Sequence, residues 1–214
     1  MKLSDVITRL TAGLSLIVIA PIMAACAIAV VVEGGGPVFF RQRRIGQNGR
    51  PFILLKLRSM RHVSSGSKVT AQCDPRITVV GRFLRKYKID ELPQLWNILR
   101  GDMSFVGPRP EVPEYVDLSD PRWQSVLLVK PGITDLASLA FRNEENVLFG
   151  ERDTDKFYRE WLLPRKLDLS AHYIRTRSLT TDAKLIALTL RHTLLPRQHN
   201  RHQIAKKFAY EGPL

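Results

Sequence analysis

Cysteine is close to absent: Cys26 and Cys73 are the only two in 214 residues. One sits in an apolar run and the other in a polar stretch, so no structural disulfide is expected and nothing points to an oxidising compartment. The histidines, His172 and His192 among them, show no metal-ligand spacing and read as surface or core residues. Zinc-finger spacings, RNP-type aromatic motifs and an obvious basic recognition helix are also missing, which argues for no nucleic acid as a partner. No internal repeat, extended low-complexity tract or linker divides the chain, so repeat architectures and a two-domain layout are set aside. Carboxylates are scarce too, 20 against 33 lysines and arginines, for a net charge of +13. That surplus calls for an anionic partner, and acidic lipid headgroups or a phosphorylated substrate are the classes that remain.

Apolar residues are plentiful, 44% of the chain, enough for one sizeable core. Residues 10–32 form an almost wholly apolar run of about 23, long enough to cross a bilayer as a helix. Pro21 near its middle removes a backbone hydrogen bond and divides it into two arms of about eleven residues, each roughly 17 Å long. Lys2 and Arg9 flank one end; Arg41, Arg43, Arg44, Arg50, Lys56 and Arg58 follow the other. Both ends therefore prefer the cytoplasm. A helix-break-helix hairpin over 1–36, re-entrant on one face and broken at Ala20-Pro21, satisfies both ends. A kinked spanning helix explains the hydrophobicity equally well. A cleaved signal is the third reading, because Ala27-Ile28-Ala29 and Met23-Ala24-Ala25-Cys26 resemble processing sites; it would export everything that follows.

Glu33-Gly34-Gly35-Gly36-Pro37 reads as a flexible exit, after which Val38-Phe39-Phe40 can dip into the interface. Phe52-Ile53-Leu54-Leu55 is too short for periodicity to separate strand from buried helix. As a strand it sends Lys56 and Arg58 to one side, as phosphate ligands or as solvated, lipid-facing charge. Residues 62–74 read as a polar loop, either a cover over the site or a connection.

The stretch richest in chemistry is 88–110. Asp90 and Glu91 precede an amphipathic pattern, Leu92, Leu95, Trp96 and Leu99, and so sit at a helix start, where backbone N–H groups keep a carboxylate ionised. The plain alternative is an N-cap. Arg82, Arg85, Lys86 and Lys88 crowd the approach, a setting that suits a divalent metal together with a phosphorylated substrate. Gly107-Pro108-Arg109-Pro110 stiffens the backbone under Arg109, so its guanidinium can grip a phosphate in bidentate fashion, or simply point outward from a structural turn. Asp102, beside the Gly101 stop, caps or pairs. Further on, Phe157, Tyr158, Trp161 and His172-Tyr173-Ile174 suit a helix at a membrane surface, residues 179–195 form an amphipathic stripe that is interfacial or core, and the basic tail, 197–207, rests on anionic lipid or is disordered.

The string Asp90-Glu91-Leu92-Pro93-Gln94-Leu95-Trp96-Asn97-Ile98-Leu99-Arg100-Gly101-Asp102-Met103-Ser104-Phe105-Val106-Gly107-Pro108-Arg109-Pro110 closely resembles the signature of the bacterial sugar transferase family, the monotopic phosphoglycosyl transferases. Lys56-Leu57-Arg58-Ser59-Met60 resembles that family's basic segment, and Lys130-Pro131-Gly132-Ile133-Thr134 with Arg142-Asn143 its later block. The resemblance implies an α+β, mostly helical fold: a re-entrant hairpin over 1–36, a small membrane-associated catalytic domain with interfacial amphipathic helices over 37–200, and a basic tail over 201–214. It implies transfer of a sugar-1-phosphate from a UDP-sugar to polyprenyl (undecaprenyl) phosphate at the cytoplasmic face of the bacterial inner membrane, with release of UMP. Asp90 would be the nucleophile, Glu91 would hold Mg²⁺ with Asp90 as a second ligand, Arg85 would position the dyad, and Arg109, Arg142, Lys56 and Arg58 would bind phosphates.

Two other readings stand beside it: direct attack in a ternary complex, with both carboxylates as metal ligands, and a non-catalytic basic adaptor on anionic membrane lipids. Basic amphipathic surfaces fit a monomer on lipid as well as a homodimer. The sequence departs from the family at Asp135 and Leu136, where Gly and Trp are usual and the sugar or nucleotide is expected nearby. It departs again at Ala20, where Ser usually precedes the proline.

Overall fold

A computed structural model of the chain describes residues 3–61, 74–195 and 200–214. Cys73, residues 62–73 of the expected loop and residues 197–199 of the basic tail lie outside the described residues.

The apolar run becomes one helix, α1 (Leu3–Gly34), about 48 Å long at 1.5 Å per residue. The break expected at Ala20-Pro21 is absent, and the helix continues through Pro21. A proline deletes a single rung of the ladder, and the aliphatic residues on either side hold the remaining rungs. Most of the surface of α1 is bare: Leu10, Leu14, Ile17, Val18, Ile22 and Ile28 are exposed, while Ala12 and Val30 are its buried residues. It is the one helix among the described residues long and apolar enough to cross a membrane.

Both halves of α1 are fastened to the rest of the fold. Near its start, Lys130 donates to Asp5 at 2.8 Å, and Ala12 packs with Leu54, Leu95, Ile98 and Met103. Near its end, Val30 packs with Leu57 and Leu84. Glu33 there accepts hydrogen bonds from the Val79 and Val80 amides at 2.6 and 2.8 Å, satisfying orphan donors at the start of the next helix.

Strands β1 (Phe39–Ile45) and β2 (Pro51–Leu57) follow as an antiparallel hairpin with Gln42 opposite Leu54. The apolar tetrad at 52–55 is thus a strand, with Leu54 buried on one face and Leu57 on the other, each in a different cluster. Helix α2 (Val79–Lys86) is capped by the Thr78 side chain; α3 (Gln94–Arg100) ends at Gly101, whose φ of 89° makes the left-handed stop. Two short strands, β3 (Ser104–Val106) and β4 (Gly132–Thr134), pair in parallel on either side of α4 (Pro121–Leu127). Helices α5 (Leu136–Ala140), α6 (Glu144–Val147) and α7 (Thr154–Phe157) lead through a π-type turn into α8 (Leu163–Arg175), then α9 (Leu179–Leu194) and α10 (Arg201–Lys207). Among the described residues the fold is therefore mostly helical with two small sheets.

The main core gathers Trp123, Leu136, Phe141, Leu169, Tyr173 and Ile204. This alters two expectations. The aromatic segment read as interfacial is interior, with Tyr158 and Tyr173 buried, because an amphipathic stripe records that one face is apolar and not which apolar medium covers it. Residues 201–214 are not a detached tail, since Ile204 and Ala205 of α10 join the core and Phe208, Tyr210 and Leu214 pack against it. By contrast α9 buries Leu185 but leaves Leu179, Leu190 and Leu194 exposed.

Candidate active site

After α2 the chain turns through Lys88, whose φ of 54° lies in the left-handed region, into a tight turn of 3-10 geometry, Ile89–Glu91. A non-glycine residue held there costs on the order of 1 kcal/mol. The turn places Asp90 and Glu91 side by side at 4% and 7% exposure. Neither is the N-cap of α3; that position is Pro93, which offers no side-chain cap. The capping reading falls away for both carboxylates.

Arg109 grips Glu91 with both arms of its guanidinium, Nη2 to Oε1 at 2.6 Å and Nη1 to Oε2 at 3.1 Å. Lys56 of β2 reaches the same Oε1 at 3.4 Å. Asp90 is different: its Oδ1 is buried and has no hydrogen-bond partner among the described residues. A buried carboxylate oxygen without a donor is costly, and such a cost is retained where the atom serves chemistry.

The two carboxyl groups are pulled in opposite directions. For Asp90, burial and then the neighbouring Glu91 raise the pKa, against the pull of Lys56, Lys88 and Arg85. For Glu91, burial also acts upward but is outweighed by Arg109, Lys56 and Lys88, which hold it well below the usual range. Adjacent titratable groups driven apart in this way mark a site built for two roles. Burial brings Lys56 down to about 8, although Glu91 and Asp90 oppose that shift.

A cleft of about 320 Å³ borders the dyad on the Glu91 side, its charged lining made by Lys88, Glu91, Arg109, Arg142, Glu144 and Lys166. Among the described residues, no three His, Cys, Asp or Glu side chains cluster closely enough to hold a metal alone. The orphan oxygen of Asp90 is the one open carboxylate donor of the dyad, and Glu91 would add a second only by sharing oxygens that Arg109 and Lys56 hold. Mg²⁺ commonly takes one or two carboxylates and completes its shell with substrate phosphates and water.

The other expected residues divide. Arg142 lines the cleft, its guanidinium steadied by the Thr193 hydroxyl at 3.2 Å and the Lys86 carbonyl at 3.4 Å. Arg85 lies one helix turn back, ion-paired with Glu145, and touches the dyad only through space. Arg58 is not brought to the site: β2 ends at Leu57, so the strand alternation that would align Arg58 with Lys56 has stopped, and its guanidinium binds the Gly35 carbonyl past the end of α1. Asp102 pairs with Arg100 at 3.5 Å, as its position beside Gly101 suggested. Asp135 and Leu136 do not line the cleft. Asp135 is fully buried, caps α5 by accepting from the Ser138 amide at 2.7 Å and accepts from the Ser170 hydroxyl at 2.7 Å; Leu136 is core.

Sequence reasoning missed the polar chain behind Arg109. Lys166 donates to Glu111 at 3.2 Å, Glu144 at 3.1 Å and the Tyr158 hydroxyl at 2.9 Å, while Arg44 donates to Glu111 at 3.2 Å and to the Pro110 carbonyl at 2.9 Å. Cations and anions alternate, so each buried charge has an opposite neighbour. These contacts clamp the loop that carries Arg109. One signal was available: Lys166 falls on the same helical face as Leu162, Leu163, Leu169 and Tyr173, where a lysine is out of place unless it is paired.

The sequence model of the family described as bacterial sugar transferase matches residues 2–196. The uncharacterized sugar transferase EpsL of Bacillus subtilis is 35% identical over 206 residues, covering 95% of this chain and 94% of that protein. The UDP-glucose:undecaprenyl-phosphate glucose-1-phosphate transferase of Escherichia coli is 38% identical over 184 residues, 84% of this chain but 37% of the relative. A protein of the same name from Caulobacter vibrioides is 37% identical, with 86% and 67% covered. The chain thus spans nearly the whole Bacillus protein and little more than a third of the Escherichia one.

Proposed function

The chain belongs to the bacterial sugar transferase family, and from that premise we propose that it transfers a sugar-1-phosphate from a UDP-sugar to polyprenyl phosphate, releasing UMP. The observation that carries the reading is Asp90: buried, with one oxygen unbonded, and faced by Lys56, Lys88 and Arg85.

Asp90 attacks the β-phosphorus of the donor, the bond to UMP breaks with its electron pair leaving on UMP, and a phosphosugar remains on the carboxylate. A phosphate oxygen of the lipid then attacks the same phosphorus and frees Asp90. Splitting one transfer between two bulky anions into two displacements eases each. Arg109 spends two of its five donors on Glu91, leaving others for a phosphate, and Arg142 and Lys56 supply further positive charge. Arg85 steadies the approach to the dyad from its place on α2. Mg²⁺, held by Asp90 and Glu91, would neutralise diphosphate charge as UMP departs.

The membrane arrangement belongs to the same proposal. Asp5 and Glu33, near the two ends of the unbroken α1, are both bonded to the one catalytic domain, which favours a helix held at both ends on the membrane face that carries the domain, a face we assign to the cytoplasm. Single cysteines placed at Ser4 and Gly36 in a cysteine-free background should label from the same side of sealed vesicles. Labelling from opposite sides would overturn the arrangement.

The deciding experiment is UMP release by purified protein in detergent with Mg²⁺ and polyprenyl phosphate, across UDP-sugars beginning with UDP-glucose. Lipid-dependent UMP, lost in Asp90→Asn and Glu91→Gln, is expected. A phosphosugar adduct on Asp90 by mass spectrometry separates the two-step route from direct attack in a ternary complex. Release of UDP in place of UMP would refute the reading.

A further inference from the structure

The cleft beside the dyad has a second character. Beside its charged residues the lining also holds Leu92, Leu95, Ile133, Leu139 and Leu190, interspersed with threonine and serine hydroxyls. A UDP-sugar is polar along its length and gains little from five aliphatic side chains, whereas a lipid phosphate is amphipathic in the same sense as the cleft.

The wall continues in two directions, and both lead to apolar surface. Leu95 and Ile133 also belong to the cluster that seats Ala12, Leu16 and Ile19, so the inner side of the wall is the packing that holds the membrane helix α1. Leu190 lies on α9 with 59% of its surface open, and one helical turn either way sit Ile186 and Leu194, the latter 73% open. The exposed apolar stripe of α9 therefore reaches the cleft at Leu190, where Thr189 and Thr193 line the cleft beside it and their hydroxyls are taken up by Thr134 and Arg142.

We propose that this leucine-rich wall between α3 and α9 is the acceptor subsite, holding the hydrocarbon next to the phosphate of the lipid acceptor while Lys88 and Arg109 receive the phosphate itself. The inference rests on the proposed transfer reaction and adds to it the route by which the lipid reaches the dyad. Charge complementarity at Lys88 and Arg109 and continuity of the wall with α1 packing select a lipid phosphate over a wholly apolar ligand or a free nucleotide. The donor needs only the charged residues, so the two substrates share the phosphate-binding groups and differ in their use of the wall.

The test separates kcat/KM for the two substrates, using full-length wild type, Leu190→Asn and Leu190→Met, with a long-chain polyprenyl phosphate, a two-isoprene analogue and a UDP-sugar that wild type accepts. Leu190→Asn should lower kcat/KM for the long-chain acceptor about tenfold, the scale of losing one buried leucine contact. It should narrow the preference for long over short acceptors, leave kcat/KM for the UDP-sugar within about twofold, and keep the melting midpoint of wild type. Leu190→Met should restore the acceptor value. A loss that falls on the UDP-sugar, or an unchanged acceptor value in a folded Leu190→Asn, overturns the inference while the transferase reading stands. A folded wild type that releases no UMP from any UDP-sugar overturns that reading and the inference with it.

Discussion

Burial brings the Lys56 ammonium far enough down to titrate just above neutrality. With its pKa drawn down to about 8 by burial, it is a cation below that value and neutral above, and each neutralised Lys56 removes a positive charge from beside Glu91. Activity should therefore fall on an alkaline limb near pH 8, and Lys56→Arg should move that limb upward, as read from kcat/KM against pH. Unfolding does not explain the loss. Between about 8 and the ordinary lysine value of about 10.4 the unfolded chain binds the extra proton, so the contribution of Lys56 to stability rises with pH across that window. Asp90 gives the complementary case. Because burial raises its pKa, the folded protein resists its charge, and Asp90→Asn should raise the melting midpoint while lowering kcat by more than about 10³-fold. A drop in both would assign Asp90 a structural role. The dyad and Arg109 were legible because their contacts lie within one short motif. Arg58 was misplaced because a strand end at Leu57 leaves no mark in the sequence, and Lys166 was overlooked because Glu111 lies 55 residues away.

At the scale of elements, the parallel pair β3 and β4 fixes the loop beneath Arg109. A Cβ on Gly132 would stand 2.2 Å from the Gly107 amide nitrogen, and one on Gly107 would stand 2.4 Å from the Lys130 carbonyl oxygen. Both obstacles are backbone and neither can swing aside. Gly132→Ala should cost more than about 2 kcal/mol by denaturant unfolding, and the surviving folded fraction should bind the donor more weakly because the strand pair must part. Wild-type stability in that variant would mean the strands do not approach so closely. A sequence shows both glycines but not that they face each other across 25 residues. Periodicity gave the helices their faces with similar limits: α9 was legible as amphipathic, whereas the aromatic face of α8 was assigned to lipid when it is covered by Trp123, Phe141 and α10.

For the whole molecule, the net charge of +13 and the bare surface of α1 act at different ranges. Apolar burial anchors the helix irrespective of salt, while arginines such as Arg41 and Arg43, exposed on β1, select anionic headgroups at about 1 kcal/mol each. Arg41→Gln with Arg43→Gln should lower partitioning to vesicles containing phosphatidylglycerol by about tenfold or more, leave binding to phosphatidylcholine vesicles unchanged, and reduce the salt dependence. Equal losses on both vesicle types would show that these arginines act through folding. The double fastening of α1, at Asp5 and at Glu33, has a mechanical meaning. A helix clamped at two points to a rigid body cannot slide or tilt without carrying that body along, so how deep α1 sits and how high Asp90 rides above the hydrocarbon boundary are a single coordinate. The lipid phosphate is confined to the headgroup plane and meets the nucleophile at a preset altitude. The rate should then follow headgroup thickness in the near leaflet and ignore the thickness of the far one.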